Sequence, residues 1–69
     1  MVDFKISLAA ARVNAGFTQA EVAEKMHVSN VTVVNWENGK TIPRYATLAM
    51  LCQLYKAPID AIFLPEEST

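Results

Sequence analysis

Two helix-start signals set one short turn apart constrain this chain more than anything else in it. Thr18-Gln19-Ala20-Glu21 has the form of a capping box, in which the Thr18 hydroxyl and the Glu21 carboxylate each satisfy an orphan backbone N–H at a helix start. Phe17 before the cap and Val22 behind it have the spacing of a hydrophobic staple. The stretch Gln19 to Met26 then places Val22, Ala23 and Met26 on one face, which predicts a helix of about two turns. Ser29 can cap a second helix, and Val28 with Val33 repeats the staple spacing. That helix is predicted to run from Asn30 to about Asn38 and to stop at Gly39. Val31, Thr32, Val33 and Val34 favour a strand by propensity alone, but the staple, the cap and the glycine stop all agree on a helix.

The flanking segments continue the helical pattern. From Ser7 to Ala15, the residues Leu8, Ala11, Arg12 and Ala15 recur at helical spacing, and Gly16 tolerates a left-handed stop. Ile42-Pro43 forces an extended or turn conformation after the second helix of the pair. Arg44 to Tyr55 then carries Leu48, Leu51, Cys52 and Tyr55 on a shared face, and Pro58 can open a last short helix from Ile59 to Phe63. The reading is an all-α bundle of about five short helices with no strand. Residues 1–69 form a single domain, with the helix pair at 18–38 and a frayed tail at 65–69.

The 69 residues are 52% hydrophobic and 19% charged, a balance that favours a compact core over disorder. No apolar run approaches the roughly 20 residues of a membrane-spanning helix, and the amino end lacks a basic-then-apolar signal, so a soluble cytoplasmic protein is expected. Cys52 is the single cysteine and His27 the single histidine, so no internal disulfide, no metal-ligand cluster and no cofactor are expected. Cys52 lies on an apolar face and reads as core. A nucleophile, a base and an orienting group are nowhere brought within reach of each other, which argues against an enzyme. The net charge of −1 weighs mildly against nucleic acid, whose nonspecific affinity rests on Lys and Arg at phosphates. Lys40 and Arg44 nevertheless follow directly after the second helix, whereas Glu66 and Glu67 sit in the tail, so charge can be segregated by surface.

Two short helices joined by a tight turn, the second capped and followed by a basic loop, form the organisation of a helix-turn-helix reader. The stretch GFTQAEVAEKMHVSNVTVVNWENGKTIP resembles the core of the phage Cro/repressor-type helix-turn-helix family, and Leu8 with Arg12 before it and Leu48 to Ile62 after it extend the likeness. The resemblance implies a DNA-binding transcriptional regulator, repressor-like, that reads the major groove with helix 30–38. It also implies that Ala23 is small so that the two helices cross closely, and that Val33 and Trp36 fill the space between them. His27 departs from the family, where glycine is usual because the turn residue takes positive φ; histidine is among the residues that tolerate this. A lone turn histidine is read as a surface residue ahead of a metal ligand or a pH switch.

With Val33, Trp36 and Glu37 turned inward, Asn30, Val31, Val34 and Asn35 face outward. Asn can bond adenine N6 and N7, and an aliphatic side chain can touch the thymine methyl, so these residues suit a major groove; an exposed or dimer-buried valine patch is the alternative. The resemblance places base contacts at Asn30, Val31 and Asn35, with Thr32 added. It places Gln19, at the positive end of its helix, against a DNA phosphate, and Thr18 beside it. Asn38, Lys40 and Arg44 lie in or near the loop after the reading helix and are candidates for neighbouring phosphates, or else solvated surface groups. Arg12 and Glu37 both fall on inward faces, where unpaired burial is very costly, and are read as a structural ion pair.

Double-stranded DNA is therefore the expected partner, bound as a homodimer through the leftover apolar residues Ile62, Phe63 and Leu64, joined by Phe4. The acidic balance motivates a second reading, a protein-interaction module of the same fold such as an antitoxin or anti-repressor component.

Overall fold

The computed structural model describes residues 5–64, and the expectations for Phe4 and for the tail at 65–69 lie outside them. Within that span the chain forms β1 (Ile6–Ser7), α1 (Leu8–Ala15), α2 (Gln19–Met26), α3 (Asn30–Asn38), α4 (Tyr45–Tyr55), a 3-10 turn over Ile59–Ala61 and β2 (Ile62–Phe63).

The helices begin where side-chain oxygens meet orphan amides. Ser7 Oγ accepts from Ala10 N at 3.0 Å, Thr18 Oγ1 from Glu21 N at 3.0 Å, and Ser29 Oγ from Thr32 N at 3.2 Å. At Thr18 the capping box is complete, because Glu21 Oε1 accepts from Thr18 N at 2.8 Å. Arg44 precedes α4 without a side-chain cap. All four helices end in one way, with a left-handed residue followed by a second amide reaching back into the last turn. Gly16, His27, Gly39 and Lys56 have φ of 85°, 59°, 78° and 56°. Behind them, the amides of Phe17, Val28, Lys40 and Ala57 donate to the carbonyls of Arg12, Ala23, Asn35 and Cys52 at 2.9–3.2 Å. The positive φ at Lys56 is the one stop that the sequence reading left unmarked.

One core unites the elements. Leu8 and Ala11 of α1, Val22 and Ala23 of α2, Val33 and Trp36 of α3, and Leu48, Leu51, Cys52 and Tyr55 of α4 are all buried. These are the apolar rows that helical spacing predicted, with Met26 half-buried at their edge. Val22 is fully enclosed, and α2 packs more extensively on α3 than any other pair of elements. Ala23 stands at that contact, where a larger side chain would hold the helices apart.

Two expectations are corrected at the carboxyl end. The predicted helix from Ile59 to Phe63 is a three-residue 3-10 turn, closed by Ala61 N donating to Pro58 O at 2.9 Å, and Pro58 stands before it in an extended conformation. The chain is also not strand-free, because β1 and β2 pair in parallel, Ile6 opposite Ile62 and Ser7 opposite Phe63. The two corrections share a cause. Ile62 reaches the core, at 7% exposure, by running extended beside Ile6, and that burial ends the turn after three residues. Ser7 serves twice, closing β1 and capping α1, since both roles use the same extended backbone. Ile62 is consequently not left over for a dimer contact, whereas Phe63 is exposed and Leu64 half-buried.

Candidate nucleic-acid interface

The turn between α2 and α3 consists of His27, Val28 and Ser29. His27 takes the left-handed conformation, with φ 59° and ψ 43°, and its side chain is exposed. Val28 is half-buried against the core and so pins the turn, while Ser29 opens α3. The hydroxyls of Ser29 and Thr32 lie 2.9 Å apart, so Thr32 is drawn into the cap at the helix start.

The two sides of α3 differ sharply. Val33 and Trp36 are buried, and the Glu37 side chain is 6% exposed. Away from that face Val31 is 65% exposed, Asn30 is exposed at the helix start, and Thr32, Val34 and Asn35 are half-buried. The five base-contact candidates thus all keep exposed surface, Asn30 and Val31 the most. The main chain of Asn35 also anchors the loop beyond α3, its carbonyl accepting from Lys40 N at 2.9 Å and Thr41 N at 3.4 Å. Among the described residues, no protein group takes the side-chain amides of Asn30, Asn35 or Asn38, which leaves their donors and acceptors available to a ligand.

On the inner side of α3, three side chains from three helices meet. Arg12 Nε donates to Glu37 Oε2 at 2.7 Å, Arg12 Nη2 to Glu37 Oε1 at 3.3 Å, and Arg12 Nη1 to the Phe17 carbonyl at 2.9 Å. Gln19 Nε2 donates to Glu37 Oε1 at 2.9 Å. The fork of the guanidinium on the carboxylate holds the Arg12 pKa above its ordinary value. The only charge on α3 is thereby neutralised from behind, so no anionic side chain on that helix repels a phosphate. Tyr55 closes the cluster on the α4 side. Its ring lies 6.4 Å from that of Phe17, and burial, reinforced by the Glu37 charge, pushes its phenol up to about 12.

The phosphate candidates divide into two kinds. Lys40 and Arg44 are exposed on the stretch leading from α3 to α4, and Asn38 is exposed in the last turn of α3. Thr18 is exposed, and its hydroxyl keeps a hydrogen to donate after accepting from Glu21 N. Gln19 differs, because part of its amide is already committed to Glu37. That bond joins residues from separate helices, and only the tertiary crossing brings them together, so spacing along the chain carries no sign of it. Sequence reasoning also left out Tyr45, which is 75% exposed beside Arg44 at the start of α4. The spacing Tyr45, Leu48, Cys52 puts it in line with the buried row, so periodicity gives no sign of its exposure, which follows from its place in the first turn of α4.

Residues 8–62 match the family model described as helix-turn-helix, which covers most of the chain. The chain is similar to the HTH-type transcriptional activator BcrR of Enterococcus faecalis, with 29% identity over 66 residues that span 96% of this chain and 32% of that protein. It is also similar to the HTH-type transcriptional regulator ImmR of Bacillus subtilis (strain 168), with 37% identity over 57 residues, 83% of this chain and 45% of that protein. The chain therefore spans less than half the length of each of these relatives. No solved structure matches it.

Proposed function

The chain belongs to the helix-turn-helix family, and from that premise we propose that it is a sequence-specific DNA-binding unit that controls transcription by laying α3 in the major groove. The observation that carries this reading is the outer face of α3. A valine 65% exposed next to an exposed asparagine, with Asn35 and Val34 flanking them, is poorly suited to water and well suited to base edges. Asparagine reads adenine through N6 and N7, and valine meets a thymine methyl. Thr32 lies at the border and contributes through its methyl group, its hydroxyl being held in the Ser29 cap.

Lys40 and Arg44 supply the phosphate attraction that the overall charge does not, with Asn38, Thr18 and Gln19 adding neutral hydrogen bonds to the backbone. This division lets an acidic chain bind an anion, because the reading surface itself carries no free negative side chain. The protein acts in the cytoplasm, and none of the described helices is long and apolar enough to cross a membrane. Two copies pair through Phe63 and Leu64 near the carboxyl end, presenting two reading helices to half-sites about 34 Å apart.

Selection of bound duplexes from a random pool, followed by a salt series on the preferred duplex, tests the reading. A preferred duplex containing adenine–thymine pairs, with affinity falling steeply as salt rises, is expected. A pool that yields no preference ends it. Sedimentation on a palindromic duplex tests the pairing, which a persistent one-to-one complex refutes.

A further inference from the structure

On the reading that α3 meets DNA, we propose that Gln19 is a positioning residue for base recognition. By bonding Glu37 across the α2–α3 crossing, it holds the phosphate-facing end of α2 and the base-reading face of α3 in one register. Gln19 is the first residue of α2, and Glu37 lies in the last turn of α3, about two turns beyond Asn30 on the same stripe of the helix and about 120° round from Val31. Their bond is 2.9 Å, from Nε2 to Oε1. A carboxylate only accepts, so the atom facing it is the amide nitrogen and the orientation of the Gln19 side chain is set by the chemistry.

Neither helix formation nor charge balance needs this bond. The start of α2 is already satisfied by Thr18 and Glu21, each bonding the other's backbone. Glu37 is already paired, with one oxygen on Arg12 Nε at 2.7 Å and the other on Nη2. What Gln19 adds is a tie between two helices. The same amide keeps a second N–H and its carbonyl oxygen, enough to engage a phosphate oxygen without releasing Glu37. Contact with the backbone at one end of α2 thus transmits directly to the angle at which α3 enters the groove, where donor and acceptor must meet base atoms within hydrogen-bond tolerance.

The test compares affinities for a duplex selected by the wild-type protein and for a scrambled duplex of equal length, at one salt concentration. A wild-type protein without preference refutes the DNA-reading premise itself. Given a preference, Gln19→Ala is expected to lower the ratio of the two affinities about tenfold while the protein stays folded. Loss of affinity by one common factor on both duplexes would make Gln19 a plain phosphate contact, and two unchanged affinities would make it a bystander; either result overturns the proposal. A double-mutant cycle adds a readout that stability alone does not move. Placed in a background carrying Arg12→Met and Glu37→Met, Gln19→Ala should no longer change the ratio, because the residue through which it acts is gone. A tenfold fall in that background as well would refute action through Glu37. Should the background fail to fold, the single variant decides the matter alone.

Discussion

Arg12 Nε lies 2.7 Å from Glu37 Oε2, in a pair whose side chains are 14% and 6% exposed, and this contact joins α1 to the inner face of α3. Removing one member leaves the other charge in a site built to exclude water. Arg12→Met is therefore expected to destabilise the fold by about 3–5 kcal/mol. Replacing both by methionine removes the buried charges together and is expected to recover most of that loss. Urea unfolding of the two variants checks this. A single variant as stable as the double would mean that water or Gln19 already satisfies the carboxylate.

Two of the four helix stops use a residue with a Cβ in the left-handed region, His27 at φ 59° and Lys56 at φ 56°. Glycine adopts this conformation without the steric penalty, although it gives up more freedom on folding. The net expectation for His27→Gly is a gain of about 0.5–1 kcal/mol, seen as a raised thermal midpoint. Because the His27 side chain is exposed, no packing is lost to offset that gain. A lowered midpoint would show that the imidazole makes a contribution of its own.

Much of the fold was readable from local chemistry. The bounds of α2 and α3 are set by Thr18, Glu21, Ser29 and Gly39, because caps act over three or four residues, and the buried rows obey the helical period. The carboxyl end was misjudged for the opposite reason. Ile6–Ser7 and Ile62–Phe63 are strands of two residues, too short to show any alternation, and they exist only because each finds the other across the whole chain. At the candidate site the outward turn of Val31 was legible from periodicity, whereas Asn30 shares the stripe of Glu37 and owes its exposure to its place at the helix start. The half-burial of Val34 and Asn35 was not legible, since it depends on how neighbouring segments close over the borders of α3.

Tyr55 links the core to pH. Burial first, and the Glu37 charge second, raise its phenol from the ordinary value near 10 to about 12. The folded state therefore holds this proton more tightly than the unfolded state. The corresponding stability is fully present below about pH 10 and is lost as pH rises from there through about 12. Its size is roughly 1–3 kcal/mol. Alkaline unfolding monitored by circular dichroism should thus fall less steeply in Tyr55→Phe than in the wild-type protein. Parallel curves for the two proteins would place the alkaline sensitivity in other groups.

The proposed division of labour on the DNA side separates two kinds of loss. Asn35 is half-buried on α3 with its side-chain amide free of protein partners among the described residues, and Lys40 is exposed on the loop that the Asn35 carbonyl anchors. An amide that reads adenine contributes discrimination at one base pair, so Asn35→Ala should lose about 1–3 kcal/mol of preference there and little elsewhere. A cation at a phosphate carries no sequence information, so Lys40→Ala should weaken all duplexes alike and reduce the slope of log affinity against log salt by about one. Binding measured on the selected duplex, on its single-base variants and across a salt series distinguishes the two. If both variants weakened every duplex equally, Asn35 would belong with the phosphate contacts, and base reading would fall to Asn30 and Val31, the exposed candidates on α3.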